Sequence, residues 1–163
     1  MRPVGARVIA VIGPGAPDDG PAARDAEECG RLLAEAGATV VTGGLGGAMA
    51  AAGRGARAAG GLVAAILPGD DPGAARTPAD LVVATGTGEA RDLAVVASAQ
   101  AVIAVGGGWG TLAEIGLARK LGRPVVRLRS WRIAAPEGEP DADLGPSAAT
   151  PAEAVRRALE AAS

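Results

Sequence analysis

The chain has 163 residues, of which 48% are hydrophobic and 21% charged, a composition that excludes a mainly disordered protein. Its net charge of −2 and its lack of Phe and Tyr argue against a basic or base-stacking nucleic-acid surface. With no His and one Cys, catalytic triads that use His, His-ligated metal sites and internal disulfides are impossible. We expect a single globular domain over 1–163 with no resident cofactor or metal.

Neither end of the chain nor its interior suggests a membrane partner. No run approaches the ~20 apolar residues that span a bilayer. The apolar stretch within 1–13 is too short for a secretory signal and lacks a cleavage-site pattern. The lack of a membrane-spanning run and of a secretory signal predicts a cytoplasmic protein.

Lys120 is the only lysine, and its surroundings are not typical of a desolvated amine, which argues against Schiff-base chemistry.

Short β-branched runs alternate with Ala-rich helical runs along most of the chain. The first of them, RVIAVI at 7–12, is continuous, as is typical of a strand buried on both faces of a parallel sheet. Strict alternation with short connections predicts an α/β fold, a Rossmann-like, doubly wound parallel sheet with helices on both faces. The predicted strands are 7–12, 39–42, 62–67, 81–84, 101–105 and 124–128, and the predicted helices are 21–36, 46–59, 89–99, 111–121 and one that begins at Pro151.

The C-terminal part begins with the acidic, Pro-bearing stretch 134–149, which predicts a mobile surface loop. A clear helix start follows it. Thr150 is placed as the N-cap, Pro151 at the first helical position, and Glu153 completes a capping box.

The richest loop is GGGWGTLAEI, at 106–115, directly between the fifth predicted strand and its helix. Glycines let backbone N–H groups approach an anion, a helix N-terminus adds partial positive charge, and Thr111 can donate a hydroxyl hydrogen bond. Four glycines exceed what a tight turn requires, so the loop favours phosphate or a similar anion. Ligands of such sheets bind beyond the carboxyl ends of the strands, which makes Gly13, Gly43 and Gly44 further candidate contacts, although close helix packing also explains glycines there.

Two better-known nucleotide motifs are excluded. The segment GWGTLA formally fits G-x-G-x-x-A, but the strand that follows, PVVRL, has no acidic residue at its end for a dinucleotide ribose. A Walker A loop requires Gly-Lys-Ser/Thr, whereas Lys120 lies inside a predicted helix.

Two charged residues near these loops have alternative interpretations. Glu114 pairs with Thr111 in a capping-box pattern, and it is also one turn from the proposed anion loop, where it could contact a ribose hydroxyl or a water. Arg91 lies near a helix start, where the macrodipole disfavours a cation. It is either an exposed arginine paired with Glu89 or Asp92, or a ligand contact at a loop mouth.

Four motifs in a fixed order carry a family resemblance over roughly 7–128. They are VTGGLGGAM, AAGGLVAAILPG, TGTGEARD and AVIAVGGGWGTLAEI. Together they resemble the SLOG/LOG superfamily, which includes the Lonely Guy nucleoside 5′-monophosphate phosphoribohydrolases and the molybdenum cofactor carrier proteins. Many members have been labelled putative lysine decarboxylases. The GGG version of the loop and the short chain are most similar to the carrier-like branch.

The resemblance implies roles for individual residues. Glu114 would be the family glutamate and Arg91 the family arginine that together cleave an N-glycosidic bond. Gly106 stands where the enzymes have Pro, and Asp92 stands where Lys usually follows the arginine. Carried over by position, the residues that would hold the phosphate are Gly107, Gly108, Gly110 and Thr111.

Three hypotheses of function follow. The first is hydrolysis of a nucleoside 5′-monophosphate to free base and ribose 5-phosphate, with Glu114 stabilising an oxocarbenium-like transition state. The second is a non-catalytic carrier that binds molybdenum cofactor, and the third is a phosphate-ligand sensor or structural partner. We expect a small phosphorylated ligand and a twofold homodimer, with a tetramer also compatible. Trp109 is either a lid over the ligand or an anchor for a partner subunit.

Overall fold

The computed structural model describes residues 7–163. The prediction that 1–13 is not a secretory signal falls partly on residues 1–6, which lie outside this range. Within the described part, no helix is long and apolar enough to cross a membrane. The strands are β1 Val8–Ile12, β2 Thr39–Thr42, β3 Leu62–Leu67, β4 Leu81–Ala84, β5 Ala101–Val105, β6 Val125–Leu128 and β7 Ser147–Ala148, and the α-helices are α1 Pro21–Glu35, α2 Ala48–Ala58, α3 Arg91–Ala97, α4 Trp109–Lys120 and α5 Pro151–Ala161.

All seven strands are parallel and lie in the order β4-β3-β2-β1-β5-β6-β7. The order reverses at β1, where Ala10 is opposite Val41 on one side and Val102 on the other. This reversal is the topological switch point at which doubly wound sheets bind ligands. The predicted Rossmann-like fold is therefore confirmed, whereas the extent of the domain over 1–163 stays a prediction.

Helices cover both faces of the sheet. Alternate residues of β1 separate the two cores, with Ile9 facing the layer of α1, α2 and α5, and Ala10 facing the layer of α3 and α4. In the first layer α1 and α2 lie close together, because their backbones contact each other at glycines. A Cβ on Gly30 would overlap the carbonyl oxygen of Ala52, and one on Gly55 would overlap that of Glu27. The glycines that weaken the helical pattern of α2 therefore permit backbone contact between helices.

Two element boundaries near the glycine loops differ from prediction. The helix expected over 89–99 is divided into a 3₁₀ turn at Gly88–Ala90 and the short helix α3, so Arg91 is the first α-helical residue. Helix α4 starts at Trp109 with Gly108 as its N-cap, two residues before the predicted start at Thr111. Both differences change the setting of candidate site residues.

The C-terminal segment contains more regular secondary structure than the composition of 134–149 predicts. Its last part adds a seventh strand, since Ser147 is opposite Arg127 at the edge of the sheet. The helix start after it is confirmed: the Thr150 hydroxyl accepts from the Glu153 N–H at 3.2 Å. The Glu153 carboxylate in turn accepts from the N–H of Ala149 at 2.8 Å. The expected surface loop is accordingly shorter than 134–149, and its mobility stays a prediction.

Candidate functional site

A cavity of about 430 Å³ opens at the switch point, beyond the carboxyl ends of β1 and β5. The loop after β1 forms one side, the N-terminal turn of α4 another, and the start of α3 a third. The cavity brings together six residues that the sequence singled out: Gly13, Arg91, Gly108, Gly110, Thr111 and Glu114.

The N-terminal turn of α4 is open toward this cavity. Its N-cap, Gly108, is extended and offers no side-chain cap, so the first N–H groups of the helix lack that partner. A Cβ on Gly110 would meet no atom within 4 Å. Thr111 is only 2% exposed, yet its Oγ1 has no hydrogen-bond partner among the described residues. Free helix amides beside an unpartnered hydroxyl are an arrangement that can receive an anion.

The backbone at the first glycine of the loop excludes a proline there. Gly106 has φ of 62°, in the left-handed region that proline cannot adopt. A Cβ there would also lie 2.8 Å from the Cβ of Ala22 on α1. The loop path of this chain therefore requires glycine at Gly106.

Glu114 lies one turn further along α4 and is 8% exposed. The capping-box interpretation is wrong, because Gly108 is the N-cap and Thr111 is already the third helical residue. Burial, and to a smaller extent the charge of the neighbouring Asp92, raise the pKa of Glu114 to about 8, while Arg91 opposes the rise. At neutral pH the side chain is mainly the uncharged acid, which can both donate and accept a hydrogen bond.

Arg91 is not the exposed surface arginine that one interpretation predicted. Its side chain is 11% exposed, and its Nη1 donates to the carbonyl of Gly43 and, at 3.1 Å, to that of Ile66. Its Nε is 3.0 Å from an Asp92 carboxylate oxygen. Burial raises the pKa of Asp92, the ion pair with Arg91 opposes that rise, and Glu89 adds to it. The guanidinium is thus held by the protein itself.

Of the other predicted glycines, Gly13 lines the cavity, and a Cβ there would come 2.7 Å from that of Ala48. Gly43, Gly44 and Gly107 are not among the residues that line the cavity. The Gly43 carbonyl holds Arg91, and Gly44, with φ of 81°, offers its carbonyl to backbone N–H groups of the loop before β4. Gly107 lies beside Trp131. Backbone geometry therefore explains Gly43 and Gly44, and direct ligand contact by them or by Gly107 stays a prediction.

Trp131 was not singled out from the sequence. Its Nε1 donates to the carbonyl of Gly108 at 3.0 Å, and its own carbonyl accepts from Arg127 Nη1 at 2.6 Å. Its ring lies 5.3 Å from that of Trp109, which is 79% exposed. The loop after β6 thereby fixes the N-cap of α4. The one feature of the sequence that could have pointed to Trp131 is that the chain has only two tryptophans.

Several lining residues were likewise missed, because they come from loops without a motif. Gly15 and Met49 were signalled only by the glycine clusters beside them, and Pro68 only by its place after β3. Asp92 was noted as a departure from the family, and the structure shows it lining the cavity next to Arg91.

Solved structures similar to this chain include molybdenum cofactor proteins. The molybdenum cofactor binding protein from Rippkaea orientalis is 30% identical with a TM-score of 0.83, covering 95% of this chain and 96% of that chain. The molybdenum cofactor carrier protein from Chlamydomonas reinhardtii is 36% identical with a TM-score of 0.82, covering 96% and 98%.

A more distant structure bears on the prediction of no nucleic-acid partner. DNA processing protein A from Helicobacter pylori, described with its single-stranded DNA binding mode, is 20% identical with a TM-score of 0.68, covering 94% of this chain and 80% of that chain. This likeness shows the fold alone, so the absence of a nucleic-acid partner stays a prediction.

Sequence comparison gives the family. A protein of Archaeoglobus fulgidus described as uncharacterized is 45% identical over 121 residues, which is 74% of this chain and 79% of the relative. The model of the SLOG cluster4 family matches residues 6–155. That match spans nearly the whole chain and agrees with the resemblance of the four ordered motifs, so the chain belongs to the SLOG cluster4 family.

Proposed function

We propose that this protein is a carrier that binds a small phosphorylated ligand of the molybdenum cofactor type without turnover. The observation that carries the proposal is the N-terminal turn of α4, where the unpartnered Thr111 hydroxyl and open helix amides face the cavity. The relatives named for molybdenum cofactor match over nearly their whole length, which supports this ligand class.

The state of the two proposed catalytic residues favours binding over hydrolysis. A negative charge is needed to stabilise an oxocarbenium-like transition state, and the raised pKa of Glu114 leaves it mainly uncharged at neutral pH. Arg91 is engaged by Asp92 and by two backbone carbonyls. Glu114 is therefore not in the charged form that this stabilising role requires, and Arg91 is not free to bind a substrate phosphate.

The second candidate is a nucleoside 5′-monophosphate phosphoribohydrolase. It is favoured by one observation, that Arg91 and Glu114 line the same cavity as Thr111. If it is correct, Arg91→Ala and Glu114→Gln should each lower the rate of base release on the order of 10²-fold or more.

A paired assay separates the two. Purified protein is incubated with a panel of nucleoside 5′-monophosphates and free base is measured, while binding of molybdenum cofactor is measured by its co-elution in gel filtration. We expect cofactor to co-elute with the wild type and no base release above that of Glu114→Gln. Base release by the wild type that both variants lose would establish the hydrolase instead.

We also propose that the protein is a homodimer. Leu62, Leu81 and Val83 are exposed large apolar side chains of β3 and β4, and Leu81 is 58% exposed. The register, with Ala64 opposite Leu81 and Ile66 opposite Val83, places them on the sheet face that α3 and α4 cover. Because α3 has only seven residues, that layer leaves this edge of the sheet uncovered. A second copy of the chain would bury this apolar edge.

The cytoplasmic location stays a prediction.

Replacing Leu81 by Lys should convert the dimer to a monomer, because a charge would be buried in an apolar interface. Sedimentation velocity at micromolar concentration measures the change. Leu121→Lys, at an exposed leucine just after α4, serves as the control and should remain dimeric. A wild-type monomer, or equal behaviour of the two variants, would contradict the proposed interface.

A further inference from the structure

One wall of the cavity is acidic. Glu89, Asp92 and Glu114 all line it, and the single basic side chain among its lining residues is Arg91, which is paired with Asp92. Among residues 7–163 no group of three metal-ligating side chains is arranged to hold a metal ion. These carboxyl groups therefore face the ligand space without a cation other than Arg91 to balance them.

The acidic wall begins one helical turn from the proposed phosphate site. Glu114 follows Thr111 by three residues on α4, a rise of about 5 Å. No hydrogen bond or ion pair to the Glu114 carboxyl occurs within the described chain, although the side chain is buried. Asp92 lines the same cavity as Glu114, and its charge contributes to the raised pKa of Glu114. A ligand held by its phosphate at α4 would present its next functional groups to this pair.

The chemistry of Asp92 favours hydrogen-bond donors on the ligand. An ionised carboxylate only accepts hydrogen bonds, so Asp92 can bind hydroxyl or N–H groups of a ligand, whereas the uncharged Glu114 can donate as well as accept. A second phosphate or a carboxylate at the same place would lie beside the Asp92 charge in a partly desolvated cavity, where like charges repel strongly. Arg91 balances part of the Asp92 charge, but its guanidinium is held by Asp92 and by the carbonyls of Gly43 and Ile66, so it is not free to turn toward a second anion of the ligand.

We propose that Asp92 is a specificity-determining residue that admits monophosphates with free hydroxyl or N–H groups beside the phosphate and rejects ligands with a second anionic group there. The proposal rests on the phosphate site of the proposed function.

The test compares two probes that differ at one hydroxyl, adenosine 5′-monophosphate and adenosine 3′,5′-bisphosphate. Dissociation constants are measured by isothermal titration calorimetry for the wild type, Asp92→Asn and Glu137→Gln. We expect the wild type to bind the bisphosphate at least about 10-fold more weakly than the monophosphate. Asp92→Asn should strengthen bisphosphate binding by about 10-fold or more and change monophosphate binding by less than about 3-fold. Glu137→Gln, which removes an exposed carboxylate that does not line the cavity, should leave the ratio of the two affinities nearly unchanged.

Each possible result either supports or overturns the specificity role of Asp92. Equal affinity of the wild type for both probes, or an equal change for both probes in Asp92→Asn, would overturn the specificity role and leave the phosphate site standing. If neither probe nor inorganic phosphate binds the wild type, the phosphate site itself fails and the specificity proposal fails with it. Thermal melting of each variant shows whether the fold is kept, and Asp92→Ser is the second variant if Asp92→Asn does not fold.

Discussion

Replacing Gly110 by Val should strongly weaken the binding of phosphorylated ligands and leave the protein folded. The glycine lines the cavity in the first turn of α4, and a Cβ there would meet no other atom within 4 Å. A branched side chain would therefore enter the space proposed for the phosphate and cover the helix amides. We expect affinity for the monophosphate probe, and for molybdenum cofactor, to fall on the order of 10²-fold, or about 2.7 kcal/mol.

Gly116 offers a matched control in the same helix. It is exposed, a Cβ on it also meets no other atom within 4 Å, and it is not among the lining residues. Gly116→Val and Gly110→Val should both melt at or slightly above the wild-type temperature, because valine has the higher helix propensity. Titration calorimetry should show lost affinity only for Gly110→Val. Similar affinities of the two variants would remove the N-terminus of α4 from the binding site.

Glu114 should make the stability of the protein depend on pH between about 5 and 8. In the unfolded chain a glutamate titrates near its ordinary pKa of about 4.3, whereas in the folded protein burial raises the pKa of Glu114 to about 8. Below the unfolded value both states are protonated and Glu114 contributes no difference. As pH rises, the unfolded state loses its proton first, so the free energy of unfolding falls until pH reaches about 8. The fall is at most about 5 kcal/mol, since one pKa unit corresponds to about 1.36 kcal/mol.

Glu114→Gln removes this titration and should gain stability over the wild type progressively from pH 5 to pH 8. Urea unfolding at several pH values measures the difference, with Glu137→Gln in the exposed loop as the control. The free energy of unfolding of the control should change with pH in parallel with that of the wild type. If the free energy of unfolding of Glu114→Gln also changed in parallel, the buried acid would not be protonated at neutral pH, and the argument against hydrolysis would lose its basis.

The pH dependence of binding should follow the same group. Above pH 8 Glu114 ionises, and its charge adds to that of Asp92 at the wall of the cavity. Affinity of the wild type for a monophosphate should therefore decrease above pH 8, while that of Glu114→Gln should not.

The sequence by itself determined the class of the fold and the position of the main loop. Continuous β-branched runs and helical spacing are local patterns, so the segments that form β1 to β6 and their helices were predictable directly from the sequence. The glycine loop at 106–115 was identifiable because glycines between a strand and a helix act through their own backbone. The end of 134–149 was missed, since the two-residue strand β7 has no periodicity of its own and depends on pairing with β6.

The tertiary structure alone decided the roles of the charged residues. Arg91 is fixed by Gly43, 48 positions away in the chain, and by Ile66, because separate strands end beside α3. No local pattern specifies such contacts. Glu114 became a buried acid instead of a cap, because α4 starts at Trp109 with Gly108 as its N-cap, and the Gly108 carbonyl is held by Trp131 from the loop after β6. Burial and partner charges set the protonation of an acid, and both arise only when distant segments pack together.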